Sequence, residues 1–178
     1  MRYVVLGVDG LGHLPGSSFS ALAAVEVTGD RISHSKLFNI DLDSCEKAGL
    51  KIYPRDMLYF MSAGDNGDRL LRSQEGSPLP LRTALEQLWH QFARENTQFW
   101  ASIETFVLVE HAARVCDVRL PWKPWQRRDL ATLMNLVVSR VEYVPPRSLI
   151  ESVEQDAMIV VEGLARAARI DSNDRSAA

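Results

Sequence analysis

Residues 2–8 form a β-branched, apolar run without alternation, the pattern of a central strand buried on both faces. One carboxylate, Asp9, follows, and Gly10 and Gly12 end the run. After a turn at Leu14, Pro15 and Gly16, the stretch SFSALAAVEV (18–27) is again apolar and extended, TGDR (28–31) turns the chain, and ISHSKLFNIDL (32–42) reads as a third strand. Together they predict a three-stranded meander. Pro54 stands at a first helical position with MLYFM (57–61) behind it, which predicts a short helix. SQEGSPLP (73–80) reads as a linker by composition.

From Leu81 to Arg94 the apolar positions Leu81, Ala84, Leu85, Leu88, Trp89 and Phe92 mark an amphipathic helix. TQFWASI (97–103) predicts a strand, Phe106–Val115 a helix, RLPWKPWQ (119–126) a proline-broken loop and Arg128–Val138 another helix. Beyond VPPRS (144–148), Leu149–Ile170 reads as a long helix with Ser148 as its N-cap, and the polar tail 171–178 as disordered. Three strands, a helix, a strand and further helices make an α/β chain. The expected architecture is one domain over residues 1–170, a mixed sheet of about five strands with helices on both faces.

Composition narrows the function classes. The 178 residues are 46% hydrophobic, enough for one sizeable core. With 20 Lys and Arg against 23 Asp and Glu, the net charge of −3 leaves no global basic field, so a nucleic-acid binder needs a local patch. One basic and aromatic cluster meets that need: Trp122, Lys123, Trp125, Arg127 and Arg128. Stacking rings beside cations can grip a single strand. The plainer reading has the tryptophans capping the core under a proline-rich loop and Arg128 pairing with Asp129. Cys45 and Cys116 form no CxxC motif, which fits reduced thiols, and no run of about 18 apolar residues or secretory leader is present. A cytoplasmic protein with no membrane segment is expected. The four histidines, His13, His34, His90 and His111, share no metal-ligand spacing.

The acidic candidates also have plain readings. Asp9 can accept backbone N–H groups in its turn, Glu151 suits the first turn of a helix, and Glu104 can cap a helix or stand in solvent. The apolar segments MLYFM, LWHQF and QFW suit a core or the face of a homodimer.

Several stretches, in order, carry a family resemblance: VVLGVDGLG, DLDSCEKAGLKIYPRDMLYFM, PLPLRTALEQLWHQF, FWASIETFVLVEHAARVC, PWKPWQRRDLATL and ESVEQDAMIVVEGLARA. Together they span nearly residues 2–170, and PWKPWQRRDLATL is the most specific. The chain resembles the DEDD 3′-5′ exonucleases of RNase H-like fold, in the branch of exonuclease-VIII-like and ribonuclease-AS-like proteins. LGVDGLG is similar also to the first strand of RuvC-like and sugar-kinase-like proteins, but the PWKPW segment argues against that relation.

The resemblance implies Mg or Mn as cofactor, two ions held by four carboxylates. The family's Asp-x-Glu falls on Gly7 and Asp9, its aromatic-Asp pair on Phe106 and Val107, and its His-x4-Asp on Glu151 and Asp156. Two metal carboxylates thus remain, Asp9 and Asp156, and the general-base position holds Glu151. Metal binding is expected to be weak or absent. Three functions stay open. The first is a degenerate, phage- or prophage-type exonuclease-like protein that binds single-stranded nucleic acid, a nucleotide or a protein partner. The second is an active Mg- or Mn-dependent exonuclease with a site rebuilt from Asp9, Glu104 and Asp156, with Glu151 as base or ligand. The third is a protein-interaction or inhibitor module.

Overall fold

The computed structural model describes residues 2–137 and 146–176. Its elements are β1 (Arg2–Gly10), β2 (Phe19–Thr28), β3 (Arg31–Asn39), α1 (Leu42–Lys47), α2 (Pro54–Ser62), α3 (Asn66–Gln74), α4 (Leu81–Phe92), β4 (Thr97–Ala101), α5 (Ile103–Val115), a 3-10 turn (Pro124–Gln126), β5 (Arg127–Asp129), α6 (Leu130–Val137) and α7 (Leu149–Ser176). The sheet runs β3-β2-β1-β4-β5. Its meander is antiparallel, whereas β4 and β5 lie parallel to β1. This is an RNase H-like α/β fold.

β1 is central, and its alternating residues feed two cores. Val4 and Leu6 pack with Leu81, Leu85, Leu88 and Phe92 of α4 and with α5, while Tyr3 and Val5 pack with α6 and with Leu149, Val153, Ala157 and Val160 of α7. Those four α7 residues recur at intervals of three and four, which places them on one helical stripe. The expected sheet of about five strands with helices on both faces is therefore present.

Several boundaries differ from the sequence expectations. The third strand stops at Asn39 because Asp41 caps α1, its Oδ1 accepting from the Asp43 N–H at 3.2 Å. α1 itself was not anticipated, nor was α3. Ser73 and Gln74, read as the start of a linker, form the last turn of α3, where Ser73 Oγ donates back to the Leu70 carbonyl and Gln74 Nε2 to the Ile40 carbonyl. Capping by Ser102, which accepts from the Thr105 N–H, starts α5 at Ile103 rather than Phe106.

Arg127–Asp129, placed partly in a helix by sequence, form an edge strand, and the helix starts at Leu130 because Asp129 accepts from the Thr132 N–H and hydroxyl. α7 continues to Ser176 rather than ending at Ile170, since no Pro or Gly interrupts its last turns. The expected end of the preceding helix at Val138, the Val144–Pro145 part of the turn and the last two residues of the tail lie outside the described residues.

Candidate functional site

The carboxyl end of β1 carries Asp9, which is buried. α3 lies across this end and directs Arg69 at it, so that the guanidinium Nη2 forms an ion pair with Asp9 Oδ1. Arg69 Nη1 donates to Asn66 Oδ1 at 3.4 Å, and its buried Nε has no hydrogen-bond partner. Burial pushes the Asp9 carboxyl above the usual carboxylate range, and the charge and hydrogen bond of Arg69 pull it partly back.

Gly7 sits two residues earlier on the same face, directly beneath α7. A Cβ on Gly7 would lie 2.5 Å from Val153 Cγ2 and 3.4 Å from Leu149 Cδ1. The space a carboxylate side chain needs there is filled by a helix. Further along α7, Asp156 is half-buried, and burial alone pushes its carboxyl up to about 6.

Glu151 is exposed and ties down the start of α7: its N–H donates to Ser148 Oγ at 3.3 Å, and its Oε2 accepts from the N–H of Arg147, one residue before Ser148, at 2.8 Å. Glu104 is exposed in the first turn of α5, and Val107 lies half-buried one turn on. Among the described residues no three His, Cys, Asp or Glu side chains converge where they could hold one ion. A two-metal centre of Mg or Mn does not fit these residues. Asp9, Glu104, Glu151 and Asp156 do not gather into one ring.

What gathers around Asp9 instead is arginine. Asp9, Asn39, Arg69, Arg72, Arg147 and Ser148 line a cleft of about 340 Å³, with Ala21, Leu37 and Leu149 supplying an apolar wall. Arg72 and Arg147 are exposed, and neither forms an ion pair with a carboxylate among the described residues. Sequence reasoning missed all three arginines. Arg69 and Arg72 share a helix at i,i+3 spacing, but Arg147 is distant in the chain and no local pattern joins it to them.

The basic and aromatic cluster divides in two. Trp122 is buried, its Nε1 donates to Glu110 Oε1 at 3.0 Å, and its ring packs 5.2 Å from Phe99 and 5.6 Å from Phe106. Arg127 is held by the same Glu110, with Nη1 2.8 and 2.9 Å from its two oxygens. These two side chains brace β5 and α5. Lys123, Trp125 and Arg128 border a groove of about 1170 Å³ that Trp122 also lines, together with Trp89, Arg94 and Arg119. Trp125 is 69% exposed, with Lys123 Nζ 5.2 Å from its ring centre. Arg128 donates to the Trp125 and Arg127 carbonyls instead of pairing with Asp129, which is occupied as the cap of α6.

This groove lies at the opposite end of the sheet from Asp9. Thr97, at its edge, pairs with Arg2, seven residues before Asp9 on β1, or about 23 Å along the strand.

Residues 3–168 match the profile of the 3′-5′ exoribonuclease Rv2179c-like domain. The chain belongs to this family. No curated protein matches the sequence. Among solved structures, E. coli exonuclease I in complex with a dT13 oligonucleotide superposes with a TM-score of 0.64 at 11% identity, over 98% of this chain and 43% of that one. The zinc-bound form of the E. coli exonuclease I complex with single-stranded DNA gives 0.62 at 11% identity, over 98% and 42%. A product-bound exonuclease I gives 0.56 at 10% identity, over 82% and 34%. The chain therefore spans between a third and a half of the exonuclease I chains it matches, and the likeness at this identity is one of fold. Among the described residues, no helix is long and apolar enough to cross a membrane.

Proposed function

We propose that this member of the exoribonuclease-like family binds nucleic acid or nucleotide without hydrolysing it. The observation that carries the reading is the ion pair of Asp9 with Arg69. In a two-metal nuclease a carboxylate at this strand end offsets the charge of divalent ions. Here a guanidinium from the same chain already neutralises it. Gly7, beneath Val153, leaves no room for the second carboxylate, so the loss extends to the packing and is not confined to one side chain.

The surfaces left for binding are cationic. The arginine-lined cleft lies at the strand end where the family carries its site, and the groove with Lys123, Trp125 and Arg128 offers an exposed ring beside cations. Rings and guanidinium groups are suited to single strands. The exonuclease I structures that share the fold include complexes with a dT13 oligonucleotide and with single-stranded DNA. That supports a single-stranded ligand for this chain.

The test is calorimetric titration with Mn²⁺, followed by incubation with a 5′-labelled single-stranded oligonucleotide in the same buffer. The expected result is no metal heat and a full-length oligonucleotide. Metal binding in the micromolar range together with laddered products would overturn the reading.

A further inference from the structure

The arginine-lined cleft has its own charge and shape. Its walls carry three guanidinium groups, Arg69, Arg72 and Arg147, against one carboxylate, Asp9, which leaves two positive charges when Asp9 is ionised. Only Arg69 is committed to that carboxylate. Arg72 and Arg147 have no carboxylate partner among the described residues, and Glu151, close to Arg147 in the chain, directs one oxygen at the Arg147 backbone N–H.

We propose that the cleft is a binding site for a phosphate monoester, the terminal phosphate of a nucleotide or of an oligonucleotide end. This rests on the reading that the chain binds without hydrolysing, and it names the group that the former metal site holds. Arginine presents a planar fork that meets phosphate oxygens two at a time, which a point charge such as lysine does not. A monoester, near −2 at neutral pH, matches the surplus of two positive charges, whereas an internal diester carries only one negative charge. At about 340 Å³ the cleft is in the lower range of small-ligand sites, and Ala21, Leu37 and Leu149 give a sugar an apolar surface. Arg69, fixed by Asp9, forms the floor, and the two uncommitted arginines stand at the rim.

The probes are inorganic phosphate, a nucleoside 5′-monophosphate, a nucleoside 3′-monophosphate, and one short oligonucleotide prepared with a 5′-phosphate, with a 3′-phosphate or with hydroxyls at both ends. Affinities are measured by calorimetry at two salt concentrations. A phosphorylated probe is expected to bind at least about tenfold more tightly than its hydroxyl counterpart, with affinity falling as salt rises. The double variant Arg72→Gln, Arg147→Gln changes two exposed side chains and is expected to fold, as thermal unfolding would show, and to lose at least about tenfold in that affinity. Arg72→Lys alone, which keeps charge but not the fork, is expected to lose a smaller factor.

Nucleotide and oligonucleotide end are distinguished by which phosphorylated probe binds more tightly, and either result supports the site. Equal binding of phosphorylated and hydroxyl forms, or an unchanged affinity in the double variant, would overturn it. Shortening of the oligonucleotide in Mn²⁺ would overturn the functional reading while leaving phosphate discrimination measurable. Absence of discrimination without shortening would overturn only the phosphate site.

Discussion

Arg69, on a helix that crosses the end of the central strand, holds the carboxylate of Asp9 in an ion pair that is mostly shielded from water. A cation from the chain therefore stands beside the carboxylate at the end of β1. Such a pair adds little net stability, since both charges are desolvated, but it is costly to break, because removing one partner leaves a buried charge unanswered.

Arg69→Ala is expected to destabilise the protein by about 2–4 kcal/mol at pH 7.5. The loss should be smaller at pH 5. Burial already raises the Asp9 carboxyl, and without Arg69 nothing pulls it back, so at pH 5 the variant can escape the cost by taking up a proton. Denaturant unfolding at the two pH values checks this, and equal losses would count against the pair.

Gly7→Asp supplies the residue type that the family resemblance puts there, but not the space for it. The new Cβ would lie 2.5 Å from Val153 Cγ2, and a carboxylate would be pressed between β1 and α7. A loss of about 2–4 kcal/mol with no gain of Mn²⁺ binding is expected. Gly7→Ala should cost about 1–3 kcal/mol, and combining it with Val153→Ala should recover part of that. A double-mutant cycle with no coupling would show that α7 can move off the strand.

Asp156 makes stability fall with rising pH. Its folded pKa of about 6 lies above the ordinary value of 3.8, so between those values the folded chain keeps a proton that the unfolded chain has lost. Its contribution is most favourable below about pH 4 and declines through pH 6, then levels off. Water reaches this half-buried carboxyl, so the effect is about 1–2 kcal/mol rather than the full shift. Asp156→Asn should raise Tm at pH 7.5 by about 2–8 °C and flatten the pH profile between 4 and 6.5. A metal ligand would behave otherwise, its loss abolishing metal-dependent stabilisation.

The two tryptophans of the PWKPW loop should separate cleanly. Trp122→Ala is expected to cost about 3–5 kcal/mol, since it removes a buried ring and leaves Glu110 short of a donor. Trp125→Ala should stay within about 0.5 kcal/mol of the parent, its ring being exposed. Any effect of Trp125→Ala on binding of a single-stranded oligonucleotide then reports a surface contact and not a folding defect.

Much of the fold was legible along the chain. The unbroken apolar runs of β1 and β2, the 3.6-residue spacing of α4 and the long stripe of α7 are local patterns, and local patterns are what a sequence displays. Short elements were not legible. α1, α3 and β5 have six, nine and three residues, too few for periodicity alone to exceed noise, and side-chain caps on Asp41 and Asp129 set the start of α1 and the end of β5. Order along the chain also sufficed to reach the family, through motifs spread over nearly its whole length.

The sequence by itself determined that Gly7 and Val107 stand where the family resemblance would put carboxylates. Only the tertiary structure decided what stands in their place. Asp9 and Arg69 are 60 residues apart, and Arg147 comes to the same cleft from the start of the last helix. Whether a lone carboxylate awaits a metal or already has its cation depends on which distant side chain the packing of α3 and α7 brings to it. Electrostatic partnership is a matter of distance in space, on which spacing along the chain is silent.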